Sequence, residues 1–422
     1  MQYSQMSKAD LLAKKQELDK TFAELKEMNL KLDMSRGKPG ADQLALSMDM
    51  LTEIKTPDDC IASNGFDCRN YGELGGLPEC KALFSEVLGV PAENIVVGGN
   101  SSLNLMFDYI AQCMTKGVAG NTPWMLQDGV KFICNVPGYD RHFTICEHFG
   151  IEMINVEMTE NGPDVEKICE LVKDPKVKGM FCVPKYSNPD GITYSDDTVR
   201  ALAALQPAAK DFRVIWDNAY VVHDLNDTPD QLLNIFDVCK EYGTEDNFVE
   251  FTSTSKISFP GAGVSVLAAS DNNMREIMKR LAMQTISYDK LNQLRHVKYF
   301  KNLDGIRAHM KKHAAIIAPK FQIVLDALAR ELKEDGLAQW TRPNGGYFIR
   351  LNTTGCSAKR VGELCKELGV TLTSVGATYP YGKDPADRNI RIAPTYPSVE
   401  ELQKAAEVLC LCVKLATLEK LL

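Results

Sequence analysis

The feature that most constrains the fold is an alternation of apolar strands and helical segments through the middle of the chain. Five apolar segments have the length of buried strands, at residues 132–136, 152–156, 180–183, 214–216 and 248–251. Helical windows lie between several of them, at 141–149, 164–173 and 196–205. This alternation predicts an α/β fold with a mostly parallel sheet and helices on both faces. Ligands bind such sheets beyond the carboxyl ends of the strands, where Tyr139, Asn188, Asp217 and Lys256 all fall.

A lysine follows the last of these strands. Residues 251–263 run from an apolar strand into a cluster of hydroxyl residues, then Lys256, then a glycine-rich turn. Desolvation at the mouth of a buried strand lowers the pKa of a lysine and makes it an amine nucleophile toward a carbonyl. The same window fits a surface lysine whose stem is buried and whose charged head stays in water.

Three other segments give this lysine a context. Residues 214–220 form an apolar strand that ends in Asp217, with Tyr220 three residues further on, and residues 186–191 form a turn around Asn188. The motif Ser-Arg-Gly-Lys-Pro stands at residues 35–39. In this order and spacing the chain resembles the fold-type I pyridoxal-phosphate (PLP) enzymes, within the class I/II aminotransferases, and in particular the aspartate aminotransferase-like subgroup. The resemblance extends from about residue 30 to the end.

The resemblance implies the PLP-transferase fold of type I. This fold has a large domain with a mostly parallel sheet of the seven-stranded type and a smaller α+β domain. We expect residues 1–50 to form an N-terminal helix and a loop over the substrate mouth, both part of the small domain. Residues 51–300 are expected to form the large PLP-binding domain, and residues 301–422 a long connecting helix and the small C-terminal domain. Helical spacing covers residues 275–332, where Pro319 is expected to kink or interrupt the helix.

The resemblance also implies roles around the PLP ring. Lys256 forms the Schiff base with the cofactor and then moves a proton between the substrate Cα and the cofactor C4′. Asp217 pairs with the pyridine nitrogen and keeps it protonated. Tyr220 and Asn188 donate hydrogen bonds to the phenolic oxygen of the ring, and Tyr139 stacks on the ring.

The predicted phosphate ligands come from two segments of the chain. Residues 94–102 run from a short strand through two glycines into a helix, and the start of a helix favours a phosphate. Ser101 and Ser102 are the candidates there, joined by Ser253 and, as a further candidate, Ser255. The resemblance implies that Tyr71 reaches the cofactor phosphate of a neighbouring subunit, so we expect a homodimer with shared active sites.

One position departs from the pattern of the family. Many relatives carry an arginine a few residues after the lysine, and that arginine clamps the phosphate. This chain has Gly-Ala-Gly-Val at residues 261–264, and no arginine follows Lys256 until Arg275. The predicted set of phosphate ligands is therefore incomplete.

The substrate site is expected to centre on Arg391, the second arginine of segment 388–394. Its planar guanidinium suits the α-carboxylate of an amino acid. Asn188 and the loop residues Arg36 and Gly37 are further predicted substrate contacts. We expect aspartate or glutamate as the amino donor and a 2-oxo acid as the acceptor. A distal carboxylate then needs a second cation, for which the candidates are Arg36, Lys38 and Arg295.

Composition excludes several classes of partner. A net charge of −8 argues against a nucleic-acid surface. No apolar run reaches the roughly 18 residues that span a bilayer, and the first residues lack the pattern of a signal peptide. We therefore expect a cytoplasmic protein without a nucleic-acid or membrane partner.

The thirteen cysteines lack metal-ligand spacing and are expected to be reduced, mostly buried thiols without a metal site.

Two other functions remain open at this point. The chain fits another PLP enzyme on the same scaffold, such as a β-lyase or a decarboxylase, because fold and cofactor site do not fix the reaction. It also fits a non-enzymatic aminotransferase-like regulatory domain. The acidic charge and the lack of an N-terminal helix-turn-helix segment count against the regulatory domain.

Overall fold

A computed structural model of the chain describes residues 3–422, which form thirteen α-helices and thirteen β-strands. The helices are α1 (Lys8–Glu27), α2 (Ala41–Ala45), α3 (Pro78–Leu88), α4 (Ser102–Lys116), α5 (Asp140–His148), α6 (Val165–Leu171), α7 (Asp196–Ala203), α8 (Ile235–Lys240), α9 (Asp271–Gln284), α10 (Lys290–Phe300), α11 (Leu303–Leu332), α12 (Ala358–Glu367) and α13 (Val399–Leu421). The strands are β1 (Leu32–Asp33), β2 (Ile95–Val97), β3 (Lys131–Val136), β4 (Glu152–Thr159), β5 (Gly162–Pro163), β6 (Val177–Cys182), β7 (Arg213–Asp217), β8 (Phe248–Ser253), β9 (Ser265–Ala269), β10 (Ala338–Trp340), β11 (Ile349–Thr353), β12 (Val370–Thr371) and β13 (Asn389–Ile392). None of these helices is both long and apolar enough to cross a membrane.

Eight strands form the central sheet, in the order β2-β9-β8-β7-β6-β3-β4-β5. Strands β3, β4, β6, β7 and β8 are parallel, whereas β2 and β5 pair antiparallel with their neighbours and β9 does so on both sides. The predicted α/β fold with a mostly parallel sheet is therefore confirmed. The sheet has one strand more than the seven expected, because the two-residue β5 pairs with the end of β4 at the edge.

Both faces of this sheet are buried. Along β7, Val214 and Trp216 belong to the apolar core on one face, and Ile215 belongs to the core on the other. Successive side chains of a strand point to opposite faces, so a strand covered on both sides is apolar throughout. This explains why the strand segments read as short continuous apolar runs.

A second core lies around the C-terminal part of the chain. Strands β10, β11 and β13 form an antiparallel sheet, whose core includes residues of α1, α11, α12 and α13. Strand β1 pairs in parallel with β12, which ties the N-terminal segment to this part. These contacts support our proposal that residues 1–50 and 301–422 contribute the small domain and residues 51–300 form the large one.

The predicted helical region 275–332 consists of three helices, α9 to α11. The breaks coincide with side-chain caps, because Asp289 accepts the backbone N–H of Asn292 and Asn302 accepts that of Gly305. Such caps satisfy N–H groups that a helix start leaves free. Helix α11 runs through Pro319 without interruption over its 30 residues, about 45 Å. Of the two effects expected of Pro319, the interruption is therefore wrong, and a kink at this position stays a prediction.

The cysteines are all unpaired thiols. Twelve of the thirteen are buried, and Cys169 is exposed. They act mainly as small apolar side chains of the cores, as the sequence predicted.

Candidate active site

The predicted site residues lie at one edge of the central sheet. Tyr139 precedes α5 in the connection after β3, and Asn188 lies in the connection after β6. Asp217 is the last residue of β7, and Lys256 follows the end of β8 by three residues. Parallel strands bring all four positions to the carboxyl edge, where ligands bind in folds of this kind.

Lys256 lies in surroundings that lower the basicity of its amine. Its Nζ is 5.0 Å from the ring centroid of Tyr220 and 5.9 Å from that of Tyr347. Removal from water lowers the pKa of the Lys256 ammonium, while Asp217 opposes that shift and Arg391 adds to it. A lower pKa increases the fraction of neutral amine, which is the nucleophilic form. The geometry therefore favours the nucleophile over a solvated surface lysine.

Asp217 is buried and keeps one carboxylate oxygen free. Its Oδ2 is 3.1 Å from Nε2 of His142. Its Oδ1 is shielded from solvent and has no hydrogen-bond partner among residues 3–422. Leaving such an acceptor unpaired costs about 1–3 kcal/mol, so the position calls for a donor. The N–H of a protonated pyridine ring is a donor of this kind, and the site therefore fits PLP.

His142 is a site residue that the sequence did not reveal. Because a carboxylate only accepts hydrogen bonds, the His142 Nε2 must carry the proton and donate it to Asp217. The imidazole stacks on Phe181 with a centroid distance of 4.4 Å and an interplanar angle of 11°. In the sequence His142 is one polar residue of a helical window. Only the packing of α5 on the sheet brings it to Asp217.

Arg391 is held in place by several neighbours and is only 9% exposed. Its guanidinium carbon is 5.0 Å from the ring centroid of Phe348. Its Nε donates to Thr373 Oγ1 (3.2 Å), and its Nη1 donates to Asp140 Oδ1 (3.0 Å) and Asn188 Oδ1 (3.1 Å). Its Nη2 makes no hydrogen bond within residues 3–422, so it is available to a carboxylate. Because Asn188 accepts through its oxygen here, its Nδ2 is left as the donor.

Tyr139 and Tyr220 keep their hydroxyl protons at neutral pH. Burial raises the pKa of Tyr139 to about 12, and the carboxylates of Asp217 and Asp140 add to the shift. Burial raises the pKa of Tyr220 well above its usual value, with further contributions from Tyr139 and Asp217. Both hydroxyl groups can therefore donate hydrogen bonds.

The start of α4 lies beside the turn that precedes Lys256. Helix α4 begins at Ser102, and the side chain of the N-cap residue Ser101 makes no capping hydrogen bond. The Oγ atoms of Ser253 and Ser255 are 3.0 Å apart, and Ser255 Oγ donates to the Asn100 carbonyl over 3.1 Å. Helix N–H groups and serine hydroxyls therefore meet in one place, which suits a phosphate.

The arginines that next follow Lys256 in the sequence do not replace the missing phosphate-binding arginine. Arg275 lies on α9 and contacts Asn272 of the same helix. Arg280, one turn further on, bonds to the carbonyl of Gly117. Both are therefore engaged away from the Lys256 turn.

The loop at residues 35–40 contacts the Arg391 site. A Cβ added to Gly37 would lie 2.1 Å from Cζ of Phe348, the ring beneath that guanidinium. The Lys38 Nζ is 4.0 Å from the ring centroid of Tyr396 and is thus engaged in a cation–π contact. Arg36 is exposed. Of the loop cations, Arg36 is therefore the freer candidate for a distal carboxylate.

Two predicted residues lie outside this group of contacts. The Tyr71 side chain is 76% exposed, in the loop before α3. Arg295 lies on α10, and its Nε is buried without a partner among the described residues. Their roles in the phosphate and substrate sites stay predictions.

A buried hydrogen-bond network lies beneath Lys256, and no sequence motif predicted it. Gln43 Nε2 donates to the Tyr347 hydroxyl (2.9 Å) and is 3.0 Å from His313 Nδ1. His313 Nε2 is 3.1 Å from His309 Nε2, which is 2.9 Å from the carbonyl oxygen of the residue after Lys256. The Tyr347 hydroxyl donates to the Lys256 carbonyl over 3.4 Å. The network thus fixes the backbone of the lysine turn.

Fold and site together define an aminotransferase of fold type I. The model of the aspartate aminotransferase family matches residues 4–422. An aspartate aminotransferase of Corynebacterium glutamicum is 46% identical over 405 residues, which is 96% of this chain and 94% of that protein. The chain therefore belongs to the aspartate aminotransferase family, as the sequence motifs predicted.

Solved structures agree with this assignment. The crystal structure of an aspartate transaminase from C. glutamicum superposes with a TM-score of 0.96 and 44% identity, covering 99% of both chains. The α-aminoadipate aminotransferase LysN of Thermus thermophilus, solved with N-(5′-phosphopyridoxyl)-L-leucine, has a TM-score of 0.75 and 19% identity over 93% of this chain and 94% of that one. This second likeness is one of fold alone. The expectation of an enzyme is confirmed.

Proposed function

We propose that this aminotransferase uses PLP to move the amino group of aspartate or glutamate to a 2-oxo acid. The observation that carries the proposal is the unpartnered Asp217 Oδ1 at the same sheet edge as Lys256. A buried acceptor beside a lysine of lowered pKa suits a cofactor with a pyridine N–H and an aldehyde.

The residues that would hold PLP divide by the part of the cofactor they face. Lys256 would bind its aldehyde carbon, and Asp217, oriented by His142, would accept the pyridine N–H. Tyr139 would stack on the ring, and Tyr220 and the Asn188 amide would donate to the phenolic oxygen. Ser101, Ser102 and Ser253 would bind the phosphate at the start of α4.

Bound PLP supplies an electron sink for the bond that breaks at the substrate Cα. The chain supplies control of protons and orientation. With PLP and substrate bound, Lys256 would act as the base and acid at the substrate Cα. Asp217 would accept the pyridine N–H and favour its protonated form, and Arg391 would orient the substrate through its α-carboxylate.

Two observations support aspartate or glutamate as the amino donor: the name of a close relative, and candidate cations for a distal carboxylate. The C. glutamicum relative is named an aspartate aminotransferase. Arg36, exposed at the mouth, and Arg295, with its unpartnered Nε, are the candidate cations for a distal carboxylate. The cytoplasmic location expected from the sequence stays a prediction.

An amino-donor screen with 2-oxoglutarate as acceptor tests the reaction. We expect aspartate to be consumed with formation of oxaloacetate and glutamate, and alanine or phenylalanine to react more slowly. Pyruvate with ammonia would instead identify a β-lyase, and carbon dioxide a decarboxylase. Preference for a neutral donor would contradict the prediction of an acidic substrate but not the prediction of an aminotransferase.

We also propose a homodimer in which Tyr71 completes the phosphate site of the partner. The exposure of Tyr71, 76% in the single chain, supports this arrangement. Mixing Lys256→Ala with Tyr71→Phe subunits provides the test. If Tyr71 acts across the interface, hybrid dimers contain one site free of both substitutions and regain activity. Mixtures no more active than the separate variants would contradict the proposal.

A further inference from the structure

A second cavity lies behind the active site, on the other side of the segment that carries Asp217 and Tyr220. It has a volume of about 860 Å³, within the range of about 300–1,000 Å³ typical of small-molecule sites. Its walls are the connection between β7 and α8 and the first half of α11. Of the described residues that line it, none is assigned above to PLP or substrate, so the cavity is separate from the active site.

The floor of the cavity is a buried carboxyl–amide pair. Glu250 of β8 is 3% exposed, and its Oε1 accepts a hydrogen bond from Asn218 Nδ2 over 2.9 Å. The Oδ1 of Asn218 is fully buried and has no hydrogen-bond partner among residues 3–422. The second carboxylate oxygen of Glu250 makes no hydrogen bond within these residues either. Buried polar atoms are nearly always paired. The Asn218 oxygen is an acceptor, and so is Glu250 when ionised, so the pair calls for a ligand that donates.

The charges around the floor favour a cation. Five acidic and three basic side chains line the cavity. Lys185 is already bound to the Val221 carbonyl (3.1 Å) and to Asp224 (2.9 Å), Arg307 lies 3.6 Å from Asp304, and Lys311 is exposed to solvent. Within residues 3–422, none of the three makes a hydrogen bond or an ion pair with Glu250. Burial raises the pKa of Glu250 to about 7, so a cation beside it would shift this carboxyl group to its ionised form near neutral pH.

Part of the cavity lining is apolar. It includes Met310, Ala314 and Ala318 of α11, together with Val222 and Leu232 of the connection between β7 and α8. An aliphatic chain would bury apolar surface against these side chains. We propose that the cavity binds a small aliphatic ammonium or guanidinium ion, with the cationic head on Glu250 and Asn218 and the hydrocarbon along α11. This site does not depend on the assignments of PLP and substrate.

Isothermal titration calorimetry of the purified holoenzyme with n-butylguanidinium tests the proposal. This probe carries a donor-rich cation on a short chain and has no primary amine to react with a carbonyl cofactor. n-Butylurea, which has the same shape but no charge, is the control ligand. We expect saturable one-to-one binding of n-butylguanidinium and no saturable binding of n-butylurea.

Two variants locate the binding. Glu250→Gln keeps the shape of the side chain and removes its charge, and it should weaken n-butylguanidinium about tenfold or more. Ala314→Phe fills the apolar wall without a change of charge and should abolish binding independently. Both variants should remain folded by circular dichroism. Absence of saturable n-butylguanidinium binding to the unmodified enzyme, equal binding of n-butylurea, or unchanged affinity in both variants would overturn the proposal.

Discussion

Replacing Arg391 with lysine should weaken the binding of the α-carboxylate and leave the cofactor in place. Lysine keeps the charge but has a single ammonium, which cannot bind Thr373, Asp140 and Asn188 and also take the place of Nη2. A hydrogen bond to a charged group contributes about 1.5–3 kcal/mol. Since 1.4 kcal/mol is about a factor of ten, kcat/KM for aspartate should fall about ten- to hundredfold.

Steady-state kinetics with aspartate and 2-oxoglutarate would measure this effect. The carboxylate is bound before and during the reaction, so we expect most of the change in KM. Arg388→Lys is the matched control, because Arg388 belongs to the same segment but is exposed. PLP content, followed by visible absorbance, should be the same in both variants.

Two outcomes would refute the assignment of Arg391 to the α-carboxylate. If Arg391→Lys keeps the kcat/KM of the unmodified enzyme while Arg388→Lys loses it, the carboxylate is bound by the other arginine. If Arg391→Lys loses PLP as well as activity, Arg391 holds the site together and the substrate role is not supported.

Three further changes test other parts of the site and the fold. Asp217→Asn should retain PLP and lose nearly all turnover, because an amide does not hold the pyridine nitrogen protonated, and near-normal turnover would contradict the pairing. Gly37→Ala places a Cβ 2.1 Å from Phe348 Cζ and should raise KM for amino donors, whereas Gly261→Ala, with nothing within 4 Å, should not. Burial lowers the pKa of His313 to about 4, against about 6.5 in the unfolded chain. The unfolded state then binds more protons below pH 6.5, so the free energy of unfolding should fall by about 2 kcal/mol from pH 7 to 5 through this group. In His313→Gln, the free energy of unfolding measured in urea should depend less steeply on pH. A pH dependence equal to that of the unmodified protein would contradict the contribution of His313.

The strands of the parallel core were predictable because burial on both faces leaves a local signature. The run at 214–216 is apolar without alternation, and the structure places its residues in two different cores. Strands β5 and β9 were not predicted. Strand β5 consists of Gly162 and Pro163, which have no strand preference of their own, and it exists only because β4 offers a free edge.

The positions of candidate site residues were predictable where a motif carries them and unpredictable where distant segments meet. Asp217 ends a strand and Lys256 follows one, and both have recognisable neighbours in the sequence. His142 and Thr373 reach Asp217 and Arg391 only through folding, from 75 and 18 residues away. Gln43 is 304 residues from Tyr347, so no local pattern could have joined them. The local sequence around a single polar residue in a helix or loop does not indicate such a distant partner.

The most direct test of the central claim is to locate the covalent bond to the cofactor. The purified protein should absorb in the visible region, and borohydride should remove that band and attach the pyridoxyl group permanently. Digestion and mass spectrometry should then find the added group on the peptide that contains Lys256, and Lys256→Ala should show no labelled peptide. A pyridoxyl group on another lysine, or no visible band in the holoenzyme, would contradict the account.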